Sequence, residues 1–273
     1  MGSIWLRDLP DVIERAGIPV ETYAGWENRS RSSGGYDAVL AIGIHHDASG
    51  KTSSDEANED WCWRNAGDRP IGCMRLRRSG VVIVGAAGAT NTMGKGGPLT
   101  CSKGYIPKDA GNKYMIAIEA ANNGVGEAWP SIMIDNYIRL LAALCQAYDL
   151  DASRDIFTHN SYCEPSCPGR KIDPAGPTPS EPTLGGTSGC SIWRHDDVRA
   201  LVLEVMDKPP QPQPSPPPSE DKVTDEDINK IAKAVWTYAM KDPPTGKDSN
   251  TGAILGYARH SAANADAQTK PKT

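Results

Sequence analysis

Three polar residues sit where short apolar runs end. His45 follows the run 38–44, Glu119 follows 114–118, and His159 follows Ile156-Phe157-Thr158. Twelve and fourteen residues past His159 come Lys171 and Asp173, inside Arg170-Lys171-Ile172-Asp173-Pro174. A hydrolytic zinc site takes three protein ligands from His, Asp/Glu or Cys and keeps a fourth position for water. It also uses a proton acceptor beside that water and a cation or donor where oxyanion charge develops. Two His, an Asp, a Glu and a Lys at strand ends and one adjoining loop supply that inventory. Each signal alone has a plain structural reading. A His-His pair after a strand is often a hydrogen-bonded edge, and an Asp before Pro is usually a turn residue. Glu119 could cap the turn at Asn122-Asn123-Gly124, and Lys171 could be a surface charge. Their joint occurrence is what points to hydrolysis.

The elements that must position these groups can be read from periodicity. Residues 4–16 form an amphipathic pattern closed by Gly17, and 18–23 is strand-like. The run 38–44 is short, apolar throughout and bounded by polar loops, which suits a buried central strand. Polar sequence from 47 to 68 predicts a loop with a helical piece around Trp61 and Trp63. Residues 75–78 and 81–84, separated by Ser79-Gly80, predict a β-hairpin. The stretch 85–111 reads as one long Gly-rich loop, and such loops usually carry function. Residues 114–118 predict a second buried strand. Trp129-Pro130-Ser131 opens a helix with Pro at its first position and Ile134, Tyr137, Leu141, Leu144 and Tyr148 at helical spacing. A Pro/Gly-rich loop is expected from His159 to Gly189, then a closing helix over 193–206 with Val198, Leu201, Val202 and Val205 on one side. The fold class is α/β (α+β): a mixed central β-sheet flanked by helices.

Taken together, Ile44-His45-His46-x-Ala48-Ser49, Ile116-x-Ile118-Glu119, Thr158-His159 and Pro168-Gly169-Arg170-Lys171-Ile172-Asp173-Pro174 resemble the zinc-dependent N-acetylmuramoyl-L-alanine amidases of type 2, which share a fold with peptidoglycan-recognition proteins. Asn91-x-x-Gly94-Lys95-Gly96 resembles the family's glycine loop, and the stretch through Gly25-Trp26 is similar to endolysins of phages that infect actinobacteria. The resemblance covers about residues 1–206. It implies His45, His159 and Asp173 as zinc ligands, Glu119 as the carboxylate beside the attacking water, and Lys171 as the cation facing the oxyanion. His46 and Asn91 are expected at the substrate groove, with Arg170 either binding a stem-peptide carboxylate or serving as a structural donor. Trp61, Trp63 and Trp129 are either groove wall or core. Some family members use Cys as third ligand, so Cys167 stands as an alternative to Asp173. The implied reaction is hydrolysis of the amide between N-acetylmuramic acid and L-alanine in peptidoglycan, with Zn2+ as cofactor. The competing readings are a non-catalytic peptidoglycan-binding module and a cytosolic muropeptide-recycling amidase.

Composition limits the rest. Seven of the fourteen residues from 207 to 220 are Pro, which predicts a catalytic domain at 1–206, a Pro-rich linker at 207–222 and a small helical tail at 223–273. In that tail Ile228, Ile231, Val235 and Ala239 share one helical face, which a single helix cannot bury alone; the expectation is wall binding or self-association through it. Residues 1–206 carry 20 Lys+Arg against 25 Asp+Glu, and 207–273 carry 9 of each. Neither part is basic, so no nucleic-acid partner is expected. No apolar run nears the roughly 18–20 residues that span a bilayer, so no membrane insertion is expected. The N-terminus has no basic segment followed by an apolar one, so no signal peptide is expected. The expected location is the host cytoplasm until release by a holin, then the cell wall. An odd count of seven Cys argues against a disulfide framework.

Overall fold

The computed structural model describes residues 3–64, 70–179, 184 and 191–207 of the 273. The expected linker and tail lie outside the described residues from Lys208 onward, as does Cys190.

Helix α1 (Leu9–Arg15) carries Pro10 in its first turn and buries Leu9, Val12 and Ile13. It begins later than the apolar pattern suggests, because Ile4 pairs as an isolated bridge with Tyr36. Strands β1 (Val20–Thr22) and β2 (Ala41–Ile44) follow, then helix α2 (Asp55–Trp63), whose Ser54 side chain caps the Ala57 N–H. Strands β3 (Met74–Leu76) and β4 (Val82–Val84) form the expected antiparallel hairpin. The stretch 85–111 is not one continuous loop: it contains a second hairpin, β5 (Leu99–Cys101) with β6 (Gly104–Ile106). Strand β7 (Met115–Ala120) runs two residues past the apolar run, so Glu119 lies within it rather than beyond its end. Helix α3 (Ser131–Ala147) starts as expected, with Pro130 as extended N-cap and not the first helical residue. Strand β8 (Ile156–Thr158) passes directly into a short helix, α4 (His159–Cys163), which the Thr158 side chain caps by accepting from Ser161 N–H. That turn replaces the start of the expected loop. Helix α5 (His195–Asp207) closes the described chain.

The main sheet has the order β1-β4-β3-β7-β2-β8 and is mixed: β3–β4 is antiparallel, and every other pair is parallel. Alternation along the strands separates two cores. Ile42, Ile44, Ile116, Ile118, Met74 and Leu76 pack with buried residues of α1, α3 and α5. Ala41, Met115, Ala117 and Phe157 face the other way, against Met93, Tyr162 and the β5–β6 hairpin. No helix among the described residues is long and apolar enough to cross a membrane.

Candidate active site

The alternation that builds the second core also aims the chemistry. His45 continues the Ala41–Gly43 side of β2, Glu119 the Met115–Ala117 side of β7, and His159 the Phe157 side of β8. β2 lies between β7 and β8 and is parallel to both, so all three groups arrive at the carboxyl ends of adjacent strands. That edge is where open α/β sheets offer a crevice. Small residues make room there. A Cβ on Gly43 would lie 2.4 Å from Met93 Sδ, so glycine is what admits Met93 beside His45.

A pocket of about 430 Å³ opens at this edge, lined by His45, His46, Asn91, Glu119, His159, Arg170, Lys171 and Asp173 with Trp61, Asp47 and others. The expected ligands, Glu119, Lys171, His46, Asn91 and Arg170 therefore meet in one cavity. Trp61 is 55% exposed at its rim, whereas Trp63 and Trp129 are core residues. Their indole N–H groups donate to Gly72 O (2.9 Å) and Ala175 O (3.0 Å), so Trp129 steadies the loop that carries Asp173.

At the centre, His45 Nδ1 and His159 Nδ1 lie 2.9 Å apart, and both face Asp173 Oδ2 at 2.9 and 2.8 Å. All three residues are buried, and among the described residues they form the one group of this kind close enough to share a metal ion. Cys167 is elsewhere: its Sγ faces Lys95 O and Arg170. Asp173, not Cys167, joins the two histidines. Burial works against the charge on Asp173, and where an imidazole Nδ1 carries a proton its hydrogen bond outweighs burial and holds the carboxyl well below its usual range. Burial, with the neighbouring His159, lowers His45 to about 4, so its ring is neutral near pH 7.

Protons and a cation compete as explanations of this triangle, and the outer contacts separate them. His159 Nε2 is 3.0 Å from the Met93 carbonyl and His45 Nε2 is 3.1 Å from Met93 Sδ. A carbonyl only accepts, so His159 Nε2 carries the hydrogen and its Nδ1 is bare when the ring is neutral. His159 Nδ1 and Asp173 Oδ2 are then two lone-pair atoms in contact. Turning both Nδ1–H groups onto the carboxylate would set two N–H groups against each other and strip Met93 O of its donor. A divalent cation shared by the three atoms would satisfy all of them, and such a donor set fits zinc among other metals.

Glu119 is different in kind. Burial pushes its carboxyl well above the ordinary value, Asp173 and Asp47 add to that, and Lys171 and Arg75 oppose it. It makes no hydrogen bond among the described residues. A carboxyl held this way keeps its proton to higher pH than an ordinary glutamate does. His46 stands outside the triangle: its Nδ1 accepts the Ala175 N–H at 3.0 Å, and burial lowers its pKa. A Cβ on Gly124 would come within 2.2 Å of the His46 ring, so that loop closes on it only as glycine.

Sequence reasoning missed three positioning residues. Met93 contacts both histidines. Asn112 Oδ1 accepts from Thr92 N–H (2.9 Å) and Met93 N–H (2.7 Å), fixing the loop that carries Met93. The Tyr137 hydroxyl accepts from His45 N–H (3.2 Å) and reaches the His45 and Ile118 carbonyls (both 3.3 Å), tying β2 to β7 beside the site. Helical spacing marked Tyr137 as core, and nothing local marked the other two.

A mixed α/β sheet thus brings two histidines and a carboxylate to the ends of its parallel strands, in a polar pocket and in a group that could hold a metal ion. Residues 35–176 match the family model described as N-acetylmuramoyl-L-alanine amidase, and the chain belongs to that family. No curated protein sequence matches the chain. Among solved structures, it is similar to the endolysin N-acetylmuramoyl-L-alanine amidase LysCS from Clostridium intestinale (14% identity, covering 59% of this chain and 90% of that one, TM-score 0.37). It is also similar to PlyL (13%, 57% and 86%, 0.40) and to Drosophila PGRP-LB (17%, 55% and 87%, 0.35).

Proposed function

We propose that this chain is a zinc-dependent N-acetylmuramoyl-L-alanine amidase that serves as an endolysin of a phage infecting actinobacteria. The observation that carries the enzymatic reading is the triangle of His45, His159 and Asp173 sharing one pocket with Glu119 and Lys171. His45 Nδ1, His159 Nδ1 and Asp173 Oδ2 would hold the zinc, which supplies a Lewis acid and lowers the pKa of water towards about 7. Glu119 takes the proton of the attacking water on its carboxylate and returns it to the departing L-alanine nitrogen, the two-way role its raised pKa suits. Lys171 faces the oxygen that gains charge on the lactyl carbonyl. His46, Asn91 and Trp61 line the groove where glycan and stem peptide would lie. Arg170 lines the same pocket and would meet a stem-peptide carboxylate there. The endolysin role is supported by the similarity of residues 1–26 to such lysins and by the Pro-rich stretch that would space a tail from the catalytic part. On this reading the protein waits in the host cytoplasm for a holin, then cuts the wall.

Incubating the protein and zinc with purified actinobacterial wall should release new L-alanine amino groups, with intact glycan strands in the mass spectrum of the digest. A protein that pellets with the wall but frees no L-alanine amine in the presence of zinc is a binding module and not an amidase.

A further inference from the structure

The cysteine pair that does not join the triangle forms a cluster of its own. Cys163 ends α4, and Cys167 follows one turn later, its N–H donating to Cys163 O at 2.8 Å. Residues so related have Cα atoms about 6 Å apart by helical geometry, within the span a disulfide bridges. Both thiols converge on one acceptor, Lys95 O, at 3.3 and 3.5 Å. Arg170 closes the cluster from the pocket side. Its Nη2 donates to Cys163 Sγ (2.9 Å) and to Lys95 O (2.6 Å), and its Nε donates to Cys167 Sγ (3.4 Å).

The pair also differs from the other cysteines. Cys62, Cys73, Cys101 and Cys145 are buried, and burial pushes the last three up to about 12. Cys167 is the least buried cysteine among the described residues, and the Arg170 hydrogen bond draws its thiol below the ordinary value. Cys163 is buried behind it, in thiol-to-thiol contact. An accessible, guanidinium-activated thiol next to a resolving thiol is the arrangement of an oxidisable pair.

We propose that Cys163 and Cys167 are a dithiol that a small-molecule disulfide oxidises to an intramolecular disulfide, and that oxidation releases Arg170 from the thiols towards the substrate pocket. The Cys167 thiolate attacks one sulfur of the oxidant, whose S–S bond breaks and expels a thiolate. The Cys163 sulfur then gives up its proton and attacks the Cys167 sulfur, expelling the second thiolate. The protons of the two cysteines end on the two released thiols, so one disulfide is reduced as the other forms. The sulfur atoms of the product carry no charge, and Arg170 loses two of its three bonds in the cluster.

The test is to titrate the full chain with oxidised glutathione and map the cysteines by peptide mass, with Cys163→Ser in parallel. The wild type should lose two thiols first, appearing as a peptide cross-linked between Cys163 and Cys167. Cys163→Ser should instead hold a stable glutathione adduct on Cys167. Oxidation that begins at another cysteine, or a cross-link from Cys167 to Cys190, would overturn the assignment. For Arg170, phenylglyoxal should modify the oxidised chain several-fold faster than the reduced chain. Equal rates would refute the release, and neither readout requires amidase activity.

Discussion

Two clusters of buried charge occupy neighbouring strands, and they are balanced in opposite ways. Along β3, the fully buried Arg75 donates Nε to Asp47 and Nη1 to Asp55, each at 2.7 Å. Arg77 grips both Glu59 oxygens, at 2.6 and 2.8 Å. Every carboxylate there faces a guanidinium. One strand away, in register with Arg75, Glu119 begins a second cluster with no such partner. Its carboxylate has no hydrogen bond among the described residues, and Asp173 shares one oxygen with two imidazole nitrogens that also face each other. Asp47 belongs to both, lining the pocket while its other face is bound by Arg75. A buried, paired charge is costly to break from one side, because the charge left behind is uncompensated. Charges that are buried and left short of a cation make a candidate functional site. Both clusters bury carboxylates, but one answers them with guanidiniums and the other with imidazoles.

The largest effect that would break this comparison is removal of a triangle atom. Asp173→Asn should abolish stoichiometric zinc, read by atomic spectroscopy. It should lower amidase turnover by about 10³-fold or more, since a Lewis acid contributes several kcal/mol to the transition state. Folding should survive it, because among the described residues no guanidinium or ammonium pairs with Asp173. If instead Cys167→Ser loses the metal and Asp173→Asn retains it, the triangle has been misread. On the matched side the outcome reverses. Arg75→Met leaves Asp47 buried without its guanidinium and should cost about 3–5 kcal/mol in denaturant melts. A loss below about 1 kcal/mol would mean that the network relaxes to water and is not the structural counterpart argued above.

These contrasts were only partly legible in the amino-acid sequence. The ends of three apolar runs announced His45, Glu119 and His159 because a buried parallel strand must stop being apolar where it reaches a crevice. Asp173 and Lys171 sit in a loop without periodicity, and only their resemblance to a motif singled them out. The pairing of Arg75 with Asp47, Asp55 and Glu59 joins a strand to a loop and a helix, so no local pattern carries it. Trp63 and Trp129 could not be told from groove residues because an indole suits either place until its N–H partner is known. The hairpin at 99–106 was hidden by the glycines and prolines around it. Turn residues dominate that composition, and the strands between them are three residues long.

Glu119 gives a prediction in which function and stability move apart. Glu119→Gln removes the proton acceptor, a loss of about 10²–10⁴-fold in turnover. The same change should stabilise the metal-free protein at pH 7. A carboxyl whose pKa is raised by folding binds protons more tightly in the native state than in the unfolded one. Folding is therefore penalised progressively as pH rises from the ordinary value of 4.5 through the raised one. Glutamine abolishes that penalty. The variant should melt above the wild type at pH 7 in chelator and match it below about pH 4. A variant that melts lower at both values would show that Glu119 is held by contacts of the matched kind.

The smallest expected effect concerns Met93, which no charge argument would single out. Its carbonyl receives His159 Nε2–H and its sulfur lies against His45 Nε2, so one residue orients both imidazoles of the triangle. Replacing groups that hold metal-ligating histidines typically lowers metal affinity by about 10–100-fold. Met93→Leu keeps the carbonyl and nearly the volume, removing only the sulfur, a weak acceptor. Zinc affinity, measured by competition with a chelator, should fall to the low end of that range, about tenfold, with little change in melting temperature. Met93→Gln restores an acceptor at the position of the sulfur and should recover most of the loss. If leucine and glutamine bind zinc equally well, the sulfur is packing alone, and only the carbonyl on His159 directs the triangle.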